Sequence, residues 1–483
     1  NYVKALKDLG GGGLSCCLSE LSDALGKGFD IELSKVHSKE KGLDPASLMV
    51  SESQERMLFI TDLEKLRGLR SIFQKYGIHF SLIGRVKGHR DLLLRYRGKI
   101  VGKMPANLVC NAPLVLRSSA RARHVDEIQK AVFSPKVPTN LTNILLSMVS
   151  IPSIASKSWI FEQYDHEVGT RTVLKPGSSD AAVLRLADNK FVSMKLDGNS
   201  KHCYLDPYFG TLGCLSESLR NVVCTGAEPI GIIDHLQFGN PENPHTFWSF
   251  EESVRAIIDY CKFMDIPVVG GKVSLYNETV IGPIKPTPVI GCIGILQDSN
   301  WISRLGMTPS SAIYTIGLTY DEMGGSEYYE NYHKVVAGIV PRLSLNVDKL
   351  NRETILSLVR NKMVSCVHDC SKGGIAIALC EMAMEGKIGF DVNLDLMPNA
   401  CSRIDNLLFS ESQSRFVFAT NSPRRVENFL KSIPGLRYAM IGKSYSESAP
   451  GRKIIFTKSG SSVIECSIAE LEENYNLLPK EMS

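Results

Sequence analysis

The 483-residue chain has little that marks a common catalytic or binding fold. None of its 13 Cys forms a CxxC pair, and Cys16 and Cys17 are adjacent, so neither a zinc ribbon nor a small disulfide framework is encoded. Reduced thiols and a cytoplasmic setting are the expectation. No apolar run reaches the ~18 residues of a membrane helix, and no secretory signal opens the chain. Lys plus Arg is 55 and Asp plus Glu is 51, a net charge of +4. That near-balance gives no electrostatic footprint for nucleic acid or an anionic membrane. No Walker A loop is present, since Gly271-Lys272 is followed by Val273. No GxGxxG turn opens a helix, and no Gly-x-Ser-x-Gly or Gly-x-Cys-x-Gly elbow marks a hydrolase or glutaminase nucleophile. Apolar residues at 43% and charged residues at 22% exclude a disordered chain. The length suits about three domains.

What is present is an internal repeat. Asp8-Leu-Gly-Gly-Gly-Gly-Leu-Ser-Cys-Cys-Leu-Ser-Glu20 aligns with Asp369-Cys-Ser-Lys-Gly-Gly-Ile-Ala-Ile-Ala-Leu-Cys-Glu381. At the same offset Gly28-Phe-Asp30 aligns with Gly389-Phe-Asp391. Ser51-Glu-Ser-Gln54 returns as Ser410-Glu-Ser-Gln413, and Ile83-Gly-Arg85 as Ile441-Gly-Lys443. Ordered matches at nearly constant spacing predict one α/β fold used twice.

Within each copy, helical spacing of Leu14, Leu18, Leu21 and Leu25 is repeated by Ile375, Leu379 and Met382. Strands are expected at 58–60 and 416–418, helices at 66–76 and 425–433, and late strands at 99–101 and 453–456. A different unit, 151–306, lies between the copies. Its expected strands are 172–174, 181–186, 191–194, 230–233 and 266–269, and its helices 212–225 and 250–264. The segment 111–140 reads as a linker. The domains expected are thus 1–140, 151–306 and 307–483, in the order B–A–B′. If each B pairs with its own A, an A domain is missing upstream of Asn1.

Several positions invite a ligand, each with a plainer alternative. Asp8 stands before glycines that open a helix. It fits a Mg²⁺ ligand beside phosphate oxygens, or a helix cap. Glu52, Ser53 and Gln54 suit a polar ligand, or a solvated loop. Lys195 and Asp197 fall on one face at a strand end, for a ligand or a turn. Asp234 ends an apolar strand, where ligands of α/β proteins bind. Gly270-Gly271-Lys272-Val273-Ser274 follows another strand, with backbone N–H groups suited to phosphate. Gly324-Gly325-Ser326 is a further turn. His368 beside Asp369 reads as structural.

Taken together, these strings resemble the large-subunit family of phosphoribosylformylglycinamidine (FGAM) synthase, within the AIR synthase-like superfamily. The resemblance is carried by Asp8-Leu-Gly-Gly-Gly-Gly-Leu14, Ser51-Glu-Ser-Gln-Glu-Arg-Met57, Lys175-Pro-Gly177 with Asp180-Ala-Ala-Val183, Leu205-Asp-Pro-Tyr208, Arg220-Asn221, Phe238-Gly-Asn-Pro241, Gly270-Gly-Lys-Val-Ser-Leu-Tyr-Asn-Glu278 and Gly324-Gly-Ser-Glu-Tyr328. It implies an A1–B1–A2–B2 layout of which this chain has B1–A2–B2. It also implies ATP-dependent conversion of formylglycinamide ribonucleotide and ammonia to the amidine, with ADP and phosphate, in purine biosynthesis.

By the same resemblance Asp8 is a Mg²⁺ ligand. Glu52, Ser53, Gln54 and Ser274 bind substrate, and Asp234 and Gly271 bind ATP. A catalytic His, an ATP-binding Lys and further metal carboxylates belong to A1, so none is assigned here. The implied partners are a glutaminase subunit and a small accessory subunit. The family has Asn where this chain has Lys272, which puts one Mg²⁺ position in question, and Asn where it has Gln237. Asp369 with Ser410–Gln413 reads as an auxiliary nucleotide site or a relic. The competing readings are another ATP-dependent enzyme of the superfamily, such as a selenophosphate synthetase, and a non-catalytic nucleotide-binding chain.

Overall fold

The two copies of the repeat place equivalent residues in equivalent strand registers. The computed structural model describes residues 2–111, 113–130, 133, 135–447 and 453–478. Asn1 and the linker positions 112, 131, 132 and 134 lie outside the described residues. The chain forms two units, Asn1–Leu116 and Arg117–Ser483.

In the first unit, Ala5–Asp8 pairs antiparallel with Met57–Ile60, setting Asp8 opposite Met57. A four-stranded sheet runs in the order Gly84–Lys87, Gly28–Glu32, Asp91–Tyr96, Lys99–Pro105. Its Gly28–Glu32 and Asp91–Tyr96 strands are parallel. The helix Gly13–Leu25 buries Leu14, Cys17, Leu18 and Leu21. That is the i, i+3, i+4, i+7 stripe expected of an amphipathic helix. These residues share a core with Phe29, Ile31 and Leu92.

In the second unit, Cys366–Asp369 pairs antiparallel with Phe416–Thr420, setting Asp369 opposite Phe416. Phe390–Asn393 and Lys453–Lys458 are parallel, as in the first copy. Here the strand Ala312–Ile316 bridges Phe416–Thr420 and Tyr438–Ser444, so one seven-stranded sheet forms. Among the described residues no strand of the first unit takes that bridging place, and its strands stay in two sheets.

The intervening segment forms a six-stranded sheet, in the order Val268–Ser274, Glu228–Gln237, Thr287–Leu296, Lys190–Asp197, Ala182–Ala187, Thr172–Leu174. The helices Pro207–Cys224 and Pro244–Met264 contribute Leu212, Leu215, Ala256 and Tyr260 to its core. The open face exposes Ile230, Ile233 and Leu196. No helix among the described residues is long and apolar enough to cross a membrane.

Most expected elements are present, and three strands run further than their apolar residues. Glu228–Gln237 continues past Asp234, so that residue lies inside the strand and not at its end. Val268–Ser274 contains Gly270-Gly271 and Lys272, so the glycines form an edge strand and not a phosphate-binding turn. Lys190–Asp197 likewise takes in Lys195 and Asp197. Ladder hydrogen bonds carry polar and glycine residues along once the neighbouring strand is in register, and hydrophobic patterning does not report this. The linker contains a helix, Arg123–Lys130. The break between units falls at Leu116, inside the segment 1–140 expected as one domain.

Candidate functional site

Each copy of the repeat builds the same polar lattice around its Gly-rich turn. In the first, Gly12 and Gly13 have φ of 69° and 58° and open the helix Gly13–Leu25. Only glycine takes these angles without strain. A Cβ on Gly13 would also stand 2.4 Å from the Ser51 carbonyl oxygen. The Gly12 N–H donates to Glu52 Oε1 at 2.7 Å. Arg56 Nε donates to the Ser53 carbonyl at 3.0 Å, and the Ser51 and Ser53 hydroxyls meet at 3.2 Å. The second copy repeats this. Gly373 N–H donates to Glu411 Oε1 at 3.0 Å, Arg415 Nε to the Ser412 carbonyl at 2.8 Å, and Ser410 meets Ser412 at 3.0 Å. Glu52 and Ser53 therefore hold the turn whatever else they bind.

The copies differ in what lies over the lattice. Asp8, Glu52, Ser53 and Gln54 are exposed. Among the described residues, Asp8 Oδ2 accepts only the Gly10 N–H, at 3.0 Å. A carboxylate so held, with its other oxygen free, is a hard donor of the kind that suits Mg²⁺. The donor chemistry at Asp8 thus fits the metal that the sequence implies. In the second copy Asp369, Glu411 and Ser412 are buried. Arg220 lies 3.2 Å from Asp369 Oδ2 and donates to Gln413 Oε1 at 3.0 Å. His202 Nε2 stands 3.4 Å from Glu411 Oε2. Both Arg220 and His202 come from the intervening α/β segment.

Around Asp369 a dense charge cluster forms. Asp197 lies 3.7 Å from Lys195 and accepts the Asn221 amide at 2.9 Å. His368 sits between two carboxylates, with Nδ1 against Asp180 and Nε2 3.0 Å from Glu381. Burial, opposed by the Lys195 charge, pushes the Asp197 carboxyl up to about 6. Burial, opposed by Arg220 and aided by Asp180, does the same to Asp369, also to about 6. Burial would lower His368, but Asp180 and Glu381 hold it well above the usual imidazole range. Asp180, His368 and Asp369 each offer a ligand atom within 4.8 Å of the others. Beside this cluster a cavity of 490 Å³ is lined by Asn199, Lys201, Lys285, Glu327 and Lys372. Sequence reasoning missed Asp180, Glu217 and Lys195 as members of one cluster. The repeat had already matched Glu381 with Glu20.

The remaining candidates fall on the edge of the six-stranded sheet. Asp234 is the register partner of Gly271, His235 of Lys272 and Gln237 of Ser274. Parallel partners point to one face and successive residues to opposite faces. Asp234 and Gly271 therefore share one face, and Lys272 and Ser274 the other. A Cβ on Gly271 would stand 2.7 Å from Asp234 Oδ2. Ser274 Oγ receives the Asn277 amide at 3.1 Å. Burial raises the Asp234 carboxyl.

Comparison with known proteins matches residues 178–296 to the N-terminal domain of AIR synthase related protein. Residues 1–96 and 308–457 both match its C-terminal domain, as the repeat requires. The phosphoribosylformylglycinamidine synthase subunit PurL of Thermococcus kodakarensis is 37% identical over 478 residues, 99% of this chain and 65% of that protein. The subunit of the same name from Methanocaldococcus jannaschii is 38% identical over 491 residues, with the same coverage. The chain spans about two-thirds of these curated relatives, slightly less by length. Among solved structures, T. maritima PurL complexed with ATP superposes with a TM-score of 0.64 at 22% identity, covering 92% of this chain and 64% of that one. T. maritima PurL complexed with FGAR gives 0.63 at 22% identity, covering 92% and 62%.

Proposed function

The chain belongs to the AIR synthase related family, and on that premise we propose that it is part of an FGAM synthase. The reaction is ATP-dependent conversion of formylglycinamide ribonucleotide and ammonia to the amidine, ADP and phosphate, a step of purine biosynthesis in the cytoplasm. The observation that carries this reading is the identity of 37% over 99% of the chain to curated subunits of that name.

The chemistry has a simple requirement. An amide oxygen is a poor leaving group until it bears a phosphoryl group. ATP supplies that group, ammonia attacks the activated carbon, and phosphate leaves with the oxygen. Positioning and charge stabilisation account for most of such a rate. Mg²⁺, when bound, neutralises phosphate oxygens. Asp8 is the residue that would hold it here, and the Gly10–Gly13 turn lets phosphate approach the backbone. Glu52, Ser53 and Gln54 present polar groups for the ribonucleotide. Asp234, whose carboxylate stands where a Cβ at Gly271 would, orients the nucleotide, and Ser274 faces the substrate. Lys272 shares a sheet face with Ser274, where its ammonium adds positive charge but, having no lone pair, ligates no metal.

The domains we propose are two C-type segments, 1–140 and 307–483, around an N-type segment, 151–306. The exposed lattice around Asp8 invites a further N-type domain, since an N-type helix lies over its buried counterpart. Ammonia would come from a glutaminase subunit, with a small accessory subunit completing the assembly.

The test is an assay of the polypeptide at the length of its relatives, with ammonium as nitrogen donor. ADP release that depends on formylglycinamide ribonucleotide supports the reading, and ATP turnover indifferent to that substrate defeats it. A finer result is expected of Gly271→Ala. Its methyl group must displace the Asp234 carboxylate, so the KM for ATP should rise by roughly tenfold, about 1.4 kcal/mol, with unchanged circular dichroism. A KM equal to the parent's would remove Asp234 from the nucleotide site.

A further inference from the structure

We infer that Lys195 is a built-in counter-ion that takes the electrostatic place of a divalent cation in the second repeat, so that the carboxylate cluster around Asp369 is closed to metal. The cluster has the look of a metal site. Asp180 and Asp369 are buried, Asp197 is nearly so, and Glu217 lies beside them. Four carboxylates this close need positive charge from some source.

The protein already provides it. Lys195 Nζ stands 3.7 Å from Asp197 Oδ1, and Asn221 takes the other oxygen at 2.9 Å. Arg220 holds Asp369 Oδ2 at 3.2 Å. His368 faces Asp180 and Glu381. Burial works to lower the Lys195 ammonium, yet Asp197, Asp180, Asp369 and Glu217 together hold it above the usual lysine range. A divalent cation would have to bind carboxylate oxygens in space that these side-chain cations already occupy, against their repulsion. The Asp197 and Asp369 oxygens that would face a metal already face Lys195, Asn221 and Arg220, and Asp180 Oδ2 alone is left buried without a partner.

The repeat shows that His368 belongs to this scheme as a cation and not as a metal ligand. Its counterpart is Lys7, whose Nζ lies 2.6 Å from Glu20. His368 Nε2 lies 3.0 Å from Glu381, the counterpart of Glu20. An ammonium cannot ligate metal, so the position is built for positive charge. Asp8, the counterpart of Asp369, is exposed and forms no ion pair among the described residues. The two repeats thus share a backbone lattice and differ in charge supply.

The experiment counts Mn²⁺ on the full chain by electron paramagnetic resonance. It uses the Asp8→Asn background, so that the first repeat does not contribute. This readout is binding alone, and it stands whether or not the chain proves to belong to an FGAM synthase. With Lys195 present, no site tighter than about 100 μM is expected. Adding Lys195→Met should create one such site per chain, and Mn²⁺ should raise the melting temperature of that variant only. A tight Mn²⁺ site in Asp8→Asn that disappears on adding Asp369→Asn would overturn the inference. So would a folded Asp8→Asn/Lys195→Met protein that binds no Mn²⁺. If Lys195→Met does not fold, the titration with Lys195 intact decides the matter alone.

Discussion

Asp8→Asn should lower kcat of the complete enzyme by roughly 10²–10⁴-fold, about 3–5 kcal/mol of transition-state stabilisation, while leaving the melting temperature almost unchanged. The residue is exposed, and among the described residues its only hydrogen bond is from Gly10 two positions on. Surface changes of this kind cost within about 0.5 kcal/mol. The same exposure leaves the second carboxylate oxygen free for a metal. Rates at saturating Mg²⁺ within twofold of the parent would rule out Asp8 as a metal ligand. The comparison with Asp369→Asn sharpens the test. Asp369 occupies the matching register position, but it is buried against Arg220. Its loss should fall on stability and not on the reaction. One substitution made in both copies is therefore expected to give opposite phenotypes.

That contrast also marks how much was legible in the sequence. The repeat is a one-dimensional signal. Asp8 and Asp369, Glu52 and Glu411, and Lys7 and His368 fall on matching residues of a shared backbone, so alignment alone predicts their shared hydrogen bonds. The family match to residues 1–96 and 308–457 follows the same division. What covers each copy is not a local property. The burial of Asp369 comes from Arg220, 149 residues away in the chain. The Asp180–His368 contact spans 188 residues. Spacing and composition carry no trace of such contacts, so the charge cluster around Asp369 shows in the sequence only as scattered single carboxylates. The strand limits failed for a different reason. Gly270 and Gly271 look like a turn because glycine is poor in strands. At an edge strand beside Asp234, the missing side chain leaves room for the carboxylate, with 2.7 Å between a Cβ at Gly271 and Asp234 Oδ2.

Arg220→Met is expected to destabilise the second unit by about 3–5 kcal/mol, the range for removing one partner of a buried ion pair. That is a large part of the roughly 5–15 kcal/mol that holds a domain folded. Arg220 has no exposed surface. Its guanidinium holds Asp369 and Gln413, and it donates to Ser216 Oγ. Ser216 in turn donates to Asp348 at 2.5 Å, and Asp348 also accepts from Tyr260 at 2.8 Å and Ser414 at 2.8 Å. One side chain thus ties the helix Pro207–Cys224 to the helix Leu345–Arg360 and to the second repeat. Methionine fills much of the volume, so the loss measured is mainly electrostatic.

The pH dependence separates this from a packing defect. Asp369 is already pushed up to about 6 by burial, and Arg220 is the main influence holding it down. Without Arg220 the carboxyl rises further and takes a proton readily in the folded state. A carboxyl raised in the native state favours folding when protonated, and that contribution is lost as pH rises through its native pKa. The cost of Arg220→Met should therefore be greatest near pH 8 and shrink toward pH 5, as Asp369 discharges. Urea unfolding of the variant and its parent at these two pH values gives the difference directly. A loss below about 1 kcal/mol, or one equal at both pH values, would mean that Asp369 does not depend on Arg220 for its charge.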